Sequence, residues 1–484
     1  MSLVAVSFLA SLLLFVVIGM LSMRKKTASV EDYLVASHSV GPWLTALSSV
    51  VTNNSGYMFI GLIGYTYAQG LSAIWLMAGW IAGDWVAWHT VHPRLRRVSE
   101  LQPANTIPAF LANRGGRVER RVARAAGLVT LVFLTSYAAA QLTAGSKALH
   151  VMFDWPEAAG AVAGAGIILL YSFAGGIRAS IWTDAAQAVV MLGAMLALVV
   201  ICMLRLGSPV ALLSLLAAED PSLVRLVPAD LEFGFLAFVL GWIAAGLGVV
   251  GQPHILIRTM ALRSTELIRK TRRIYFTWYV PFAFATVAVG LYARILLPET
   301  SAFDPELALP ELAQRFLPSL LVGFVLAGLF AATISTADSQ LLACSAAISQ
   351  DLVPGMGQSY WKAKIATAVV TLAVLAVAVT SGTTVFALVI ISWSGLAAGL
   401  GPLMLGRLYW GSLPPGRSVA VIASGVATVI VWRFILGWGD DVYEILPGMI
   451  SGIVVYGAMR LLPGARAPRA LRHAERRPLL TPTE

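Results

Sequence analysis

Charged residues are scarce in this sequence, since Asp, Glu, Lys and Arg make up only 12% of its 484 positions. A soluble chain of this length normally carries about twice that share and divides into domains with polar surfaces. The scarcity therefore excludes an ordinary soluble protein. The only two cysteines, Cys202 and Cys344, lie in apolar segments, so the sequence offers neither a disulfide framework nor a paired-cysteine metal site.

Sequence patterns for ATP-driven or enzymatic chemistry are missing as well. There is no Walker A motif and no other glycine-rich phosphate-binding loop, so any transport must draw on an ion gradient. No nucleophile–base pair or metal-binding cluster can be recognised in the spans. We therefore expect neither an enzyme nor a bound cofactor.

Long apolar runs take the place of the missing charge. Hydrophobic residues make up 58% of the chain, and its mean hydropathy is +0.80. Runs of about twenty apolar residues, enough for a helix to cross the hydrocarbon core, recur from end to end. We predict an all-α polytopic membrane protein with about thirteen transmembrane helices, near 4–23, 42–67, 71–91, 122–147, 157–177, 180–203, 232–254, 274–297, 318–345, 364–381, 384–408, 418–436 and 443–462.

The basic residues predict how these spans are oriented. With the amino terminus outside, 28 of the 34 Lys and Arg residues fall on one face, including the loop 94–124 and the segment 258–273. By the positive-inside rule this face is cytoplasmic, which explains the net charge of +10 better than a lipid or nucleic-acid patch does. The apolar run 4–23 precedes its basic residues, the reverse of a signal peptide. We expect a bacterial-type inner-membrane protein in the lipid bilayer, with a cytoplasmic tail and without a nucleic-acid or obligate protein partner.

Two spans carry interruptions at matching places. The polar sequence TNNSG at 52–56 falls near the middle of the second span, and GLGVVGQP at 246–253 falls in the seventh. Glycine and proline can simply permit close helix packing, but a matched pair favours an inverted-repeat transporter with its site at the midplane. The predicted division is an extra helix and loop at 1–41, a first five-helix repeat at 42–203, a periplasmic loop at 204–231, a second repeat at 232–408, two further helices at 409–462 and a tail at 463–484.

Polar residues cluster in the ninth span, within AATISTADSQLL. Ser335, Asp338 and Ser339 share one helix face, and Thr336 adjoins them. Alkali cations prefer oxygen ligands, and a carboxylate would compensate their charge in a low dielectric. Membrane hydroxyls often bond only to their own helix, but a buried aspartate is costly enough to indicate function.

Two further aspartates each allow two interpretations. Asp184 begins the sixth span, where it fits a functional group and a helix cap equally well. Asp84 lies deeper in the third span and either contacts a substrate or merely packs, so we assign it no role.

In these motifs the chain resembles the solute:sodium symporter family, and most closely its sodium/proline symporters. The likeness extends from about Glu31 to Leu462 and rests on the segments VEDYLVASHSVGPWLTALSS, NSGYMFIGLIG, SFAGGIRASIWTDAAQ, GQPHILIRTMA, AATISTADSQLLACSAAISQDL and YEILPGMISGIVVY. The resemblance implies an extra amino-terminal helix, a five-plus-five inverted-repeat core of the leucine-transporter type, and alternating access coupled to sodium.

The resemblance also implies site residues. The main sodium site would consist of the backbone carbonyls of Val51, Asn54 and Ala332 and the hydroxyls of Ser335 and Thr336. A second ion site, found in some members, would consist of Asp184, Asp338 and Ser339, although Asp338 could instead carry a proton. The predicted substrate-binding residues are Asn53, Ser55, Gly56, Tyr57, Trp242, Val249, Gln252 and Pro253.

The sequence departs from the proline-carrier pattern in two respects. Where such carriers have an aspartate in the broken first core helix, this chain has Asn53, as the sugar-transporting members do. Ala245 and Val249 occupy places that are aromatic in those carriers, although Trp242 lies one turn earlier.

The predicted function is sodium-coupled import of a small organic solute, with an amino acid, and proline first, as the substrate. A proton-coupled carrier, a carrier of sugars or carboxylates, and a transporter-derived sensor are the alternatives.

Overall fold

Apolar helices follow one another along the chain, as its hydropathy predicts. The computed structural model describes residues 2–22, 30–102, 104–229, 231–297, 303–353, 356 and 360–463. The basic residues Arg24, Lys25 and Lys26 and the tail after residue 463 lie outside these ranges. The α-helices are α1 Leu3–Ser22, α2 Val30–Val35, α3 Pro42–Asn53, α4 Gly56–Phe59, α5 Gly61–Gln69, α6 Ile74–Leu101, α7 Ile107–Ala112, α8 Arg120–Phe153, α9 Glu157–Leu206, α10 Pro209–Glu219, α11 Gly234–Leu247, α12 Pro253–Ala261, α13 Ile268–Leu296, α14 Ala308–Phe316, α15 Ser319–Ala346, α16 Tyr360–Thr380, α17 Val385–Trp410, α18 Pro415–Ile430 and α19 Ile445–Leu461.

Shorter elements connect these helices. Two two-residue strands, β1 Asn113–Arg114 and β2 Arg117–Val118, pair antiparallel in the loop between α7 and α8. Single turns of 3₁₀-helix include Gly248–Gly251 between α11 and α12 and Pro305–Leu307 before α14, and a π-helical turn, Ala347–Leu352, follows α15. The all-α class predicted from the sequence is confirmed.

Nine helical segments of the described chain are long and apolar enough to cross a membrane, and four further apolar helices are shorter. Each of the thirteen predicted spans is helical, but the number of crossings stays a prediction. The fifth and sixth predicted spans both lie in α9, which is kinked at Gly176. The φ of Gly176, 59°, lies in the left-handed region that favours glycine. The predicted loop 204–231 contains a helix of its own, α10.

Burial separates the central helices from those at the periphery. In the most apolar stretch of each helix, 83% of the residues of α15 and 89% of those of α17 are buried inside the protein. The corresponding share for α1 is only 22%. Helix α15 packs against α8, α9 and α1, while α6 lies along α11. The exposed side of α1 carries apolar side chains such as Leu13, as expected for a helix facing lipid. The polar motifs therefore lie on the inner helices.

Candidate sodium and substrate sites

The first predicted interruption is a true break in the helix. Helix α3 ends at Asn53, Asn54 and Ser55 leave the helical conformation, and α4 begins at Gly56. The Ser55 hydroxyl caps α4 by accepting a hydrogen bond from the Tyr57 amide at 3.2 Å. A serine after two asparagines therefore ends one helix and starts the next.

Helix α8 supports this break from one side. The Gln141 side-chain oxygen accepts a hydrogen bond from the Gly56 amide at 2.9 Å, and the Tyr137 hydroxyl lies 3.4 Å from Ser55 Oγ. Helix α15 supports it from another side, because a Cβ at Gly56 would lie only 2.5 Å from Thr333 Cγ2. Gly56 thus allows the break to approach the helix that carries the predicted sodium ligands.

The second predicted interruption is also confirmed. Helix α11 tightens into the 3₁₀ turn Gly248–Gly251, Gln252 is extended, and Pro253 occupies the first turn of α12. The Gln252 amide donates to the Trp393 carbonyl at 3.1 Å, which ties the break to α17. Its side-chain oxygen is buried and has no hydrogen-bond partner among the described residues.

Two hydroxyls of α15 have the properties of cation ligands. Thr336 Oγ1 is buried and has no hydrogen-bond partner in the described part of the chain. Ser335 Oγ donates to Asp184 Oδ1 at 2.6 Å, and both of its lone pairs stay available to a cation. A buried oxygen without a partner is costly, so a ligand at Thr336 would stabilise the fold.

Asp184 forms a buried ion pair that the sequence analysis did not anticipate. Arg258 Nη2 donates to Asp184 Oδ2 at 3.0 Å, and both side chains are 1% exposed. Ser48 Oγ lies 2.5 Å from the same carboxylate oxygen and accepts from Arg258 Nε at 2.6 Å. Arg258 also donates to Ser339 Oγ. One guanidinium therefore connects α3, α9, α12 and α15.

Placing Arg258 in a basic cytoplasmic loop was wrong. The residue lies within α12, buried among other helices, because its charge is neutralised by Asp184. An available signal was its position, since it is a single arginine in the apolar segment HILIRTMA that follows the helix break. An arginine in such a segment is costly unless an acidic residue or carbonyl oxygens satisfy it.

The three residues of the predicted second ion site lie on two neighbouring helices, Asp184 on α9 and Asp338 and Ser339 on α15. Asp184 and Ser339 both contact Arg258. Asp338 adjoins Ser339 on α15 and is 1% exposed. In this arrangement the positive charge beside Asp184 is the guanidinium.

A cavity reaches this network from the side of α2 and α7. Its lining includes Asn105 and Thr106 as well as Ser180, Arg258 and Ser339. The predicted topology places this opening on the cytoplasmic face. Arg258 thus lines the cavity and, through Ser48, also contacts the broken helix α3.

Asn53 takes part in a separate cluster on the other side of the break. Its side-chain amide donates to the Tyr275 hydroxyl at 2.6 Å and lies 3.4 Å from Asp84 Oδ2. The Tyr275 hydroxyl donates to that same oxygen at 2.6 Å. The structure therefore brings Asp84, which the sequence analysis left without a role, into contact with a predicted substrate residue.

Aromatic rings connect the two broken helices. The ring of Trp80, on α6, lies 6.0 Å from that of Tyr57, 6.3 Å from that of Trp242 and 5.0 Å from that of Trp393. Val249 is buried beside these elements at 1% exposure. Ala245 and Val249 are not aromatic, but Trp80 and Trp393 supply aromatic rings near their positions. Sequence spacing did not indicate that these two tryptophans lie there.

Known proteins resemble this chain over most of its length. The model of the sodium:solute symporter family matches residues 33–414. That match covers well over half of the chain. The chain belongs to the sodium:solute symporter family.

Curated relatives at about one-third identity span nearly the same length. The chain is 32% identical to the sodium/proline symporter of Escherichia coli over 97% of this chain and 96% of the relative. It is 33% identical to the sodium/proline symporter of Staphylococcus aureus strain USA300 over 94% and 92%, and 30% identical to the high-affinity proline transporter PutP of Bacillus subtilis over 89% and 92%.

Solved structures share the fold at lower identity. A sodium-coupled sialic acid symporter, in a substrate-bound outward-open state, superposes with a TM-score of 0.76 at 17% identity, covering 96% of this chain and 99% of that one. The transporter MhsT, in complex with L-phenylalanine, superposes with a TM-score of 0.58 at 14% identity, covering 86% and 98%. The five-plus-five core predicted from the resemblance is thus the fold of this chain. The protein is a sodium-coupled, multi-pass membrane symporter of a small solute and not an enzyme.

Proposed function

We propose that this symporter imports an amino acid together with sodium across a bacterial inner membrane, with proline as the first substrate to test. The names of the relatives at 30–33% identity support proline. The proposed orientation has the amino terminus outside and the tail in the cytoplasm. The proposed repeats are 42–203 and 232–408.

The proposed main sodium site lies between the first break and α15. Its ligands are the backbone carbonyls of Val51, Asn54 and Ala332 and the hydroxyls of Ser335 and Thr336. The observation that carries this proposal is the buried, unpartnered Thr336 Oγ1 next to Ser335, on the helix that Gly56 approaches closely. Carbonyls released by a broken helix together with hydroxyls are suitable ligands for an alkali cation.

The contact of Ser335 with Asp184 offers a coupling mechanism. Sodium at Ser335 and Thr336 would hold α3 and α15 together, and Ser335 would keep Asp184 oriented toward Arg258. The Arg258 network then holds α3, α9 and α12 together beside the cavity. Substrate binding at the breaks would complete the closure, and by linkage substrate and sodium must raise each other's affinity equally.

A second ion at Asp184, Asp338 and Ser339 would have to coexist with a guanidinium. Because Arg258 already neutralises Asp184, a cation there requires Arg258 to move in another state of the transport cycle. We propose that sodium at the main site couples transport, and that the second site binds an ion only in a state in which Arg258 has moved.

The test of the sodium site uses purified protein in proteoliposomes. In Ser335→Ala plus Thr336→Ala, uptake of radiolabelled proline should lose its dependence on an inward sodium gradient. Thr286→Ala is the matched control, because within the described chain its buried hydroxyl bonds only to the Phe282 carbonyl of its own helix. An unchanged sodium dependence in the double variant refutes the assignment, and uptake driven by a pH gradient without sodium supports a proton-coupled carrier instead.

The substrate is tested by thermal shift on the wild-type protein. Amino acids, sugars and carboxylates are compared with and without sodium, because a ligand present at 100 times its Kd stabilises the folded state by about 2.7 kcal/mol. Stabilisation by proline only when sodium is present would support the proposal. Stabilisation by a sugar and by no amino acid would refute it.

A further inference from the structure

Asp84 is a buried carboxylate in the middle of α6. It is 0% exposed, and its Oδ2 accepts a hydrogen bond from the Tyr275 hydroxyl at 2.6 Å and from the Asn53 amide at 3.4 Å. These three side chains come from α6, α13 and the end of α3. The carboxylate therefore lies directly beside the first helix break.

The charge of Asp84 lacks a partner within the described chain. Its Oδ1 has no hydrogen-bond partner there, and no Lys, Arg or His side chain forms an ion pair with it. Asp184, by contrast, is paired with Arg258. The Asn53 oxygen, Oδ1, is a second buried acceptor without a partner. Two such acceptors, one of them a carboxylate oxygen, form a site that a cationic hydrogen-bond donor would satisfy.

The surroundings of Asp84 distinguish between kinds of cation. Trp80 and Trp88 lie one helical turn to either side of it on α6, so all three share one face. The Trp88 ring lies 4.9 Å from that of Tyr275, and the Trp80 ring lies 6.0 Å from that of Tyr57. Sodium requires oxygen ligands on most sides, whereas aromatic faces beside a carboxylate suit an alkylammonium group.

We propose that Asp84 binds the protonated amine of the transported solute, with the Asn53 oxygen as a second acceptor and Tyr275 holding the carboxylate in place. The proposal rests on the proposed amino-acid function and makes it more specific, because it requires a substrate with an N–H group that carries positive charge. Asp84 is then a substrate-binding residue supplied by α6 rather than by either broken helix.

The test compares ligands that differ only at the nitrogen. The affinities of L-proline and of cyclopentanecarboxylate, which has the same ring without the amine, are measured in sodium by thermal shift and isothermal calorimetry. Asp84→Asn should weaken proline binding by about 10- to 100-fold, as expected for a hydrogen bond to a charged group. Sodium affinity in the absence of proline should not change.

An exchange variant separates charge from folding. In Asn53→Asp plus Asp84→Asn the two side chains trade places across a 3.4 Å contact, so the charge and the atoms of the cluster are conserved. Proline affinity should return to within about tenfold of the wild-type value. If Asp84→Asn does not fold, Tyr275→Phe, which removes the hydroxyl's two hydrogen bonds, to Asp84 and from Asn53, but no charge, should weaken proline binding about threefold or more.

Each other outcome is decisive. Wild-type proline affinity in a folded Asp84→Asn overturns the proposal, as does wild-type affinity in Tyr275→Phe when Asp84→Asn cannot be purified. A loss confined to sodium affinity, or to the pH dependence of uptake, overturns it in favour of an ion or proton site. If the wild type binds another amine instead of proline and Asp84→Asn does not, Asp84 is supported and proline is refuted. Binding confined to solutes without an amine refutes both.

Discussion

Removing one member of the Arg258–Asp184 pair should destabilise the protein more than removing both. Both side chains are 1% exposed, so Arg258→Gln leaves a carboxylate, and Asp184→Asn a guanidinium, buried without a counter-charge. Breaking a buried pair in this way costs about 3–5 kcal/mol. The double variant leaves neutral amides that can bond to each other and to Ser48, and we expect it to cost roughly 1–2 kcal/mol.

Thermal unfolding of the purified protein in detergent measures the difference. One kcal/mol shifts Tm by about 2–4 °C in chains of 150–250 residues, hence by about half as much in one twice as long. Each single variant should therefore lower Tm by roughly 3–10 °C and the double variant by roughly 1–4 °C. Arg315→Gln serves as the control, because its side chain is 46% exposed and its pair with Glu311 should contribute less than about 1 kcal/mol. Additive shifts in the double variant would refute the view that the two charges compensate each other.

Two further predictions test the steric and ionic contacts around the core. Because a Cβ at Gly56 would lie 2.5 Å from Thr333 Cγ2, Gly56→Ala should slow proline uptake about tenfold. Adding Thr333→Ser, which removes that methyl group, should restore part of the rate. Equal uptake rates in the single and the double variant would contradict the steric explanation. Lys147 pairs with Glu306, which is 6% exposed at the side chain, and with Asp304, which is 39% exposed. Glu306→Gln should therefore cost about 3 kcal/mol and Asp304→Asn less than about 1 kcal/mol in thermal unfolding, and equal Tm shifts would contradict this ranking.

The helices and their breaks could be predicted because their causes are local. A run of twenty apolar residues is satisfied by a helix in lipid whatever its neighbours are. The breaks at Asn54 and Gln252 follow from short polar or glycine-rich sequences that weaken a helix locally. The number of membrane crossings is less accessible, because short apolar helices such as α10 lie on the border between spans and loops.

The contacts within the sites could not be predicted in the same way, because they depend on how helices pack. Asn53 and Tyr275 are 222 residues apart in sequence and 2.6 Å apart in space. Arg258 was misplaced because a charge count treats every arginine as solvated, whereas its position is set by Asp184 on another helix. Asp84 kept two interpretations for the same reason, since nothing near it in sequence distinguishes a packing residue from a binding residue.

The first broken helix is the element on which all three clusters converge. Ser48 contacts the Arg258 network, Asn53 contacts Asp84, and the proposed sodium carbonyls of Val51 and Asn54 lie between and beside them. Ser48 and Asn53 are five residues apart, which is about 7.5 Å along a helix. A shift of α3 relative to the helices around it thus changes the geometry of the ion site, the substrate cluster and the Arg258 network together. Coupling between sodium and substrate then needs no long pathway, because both ligands act on the position of one short helix.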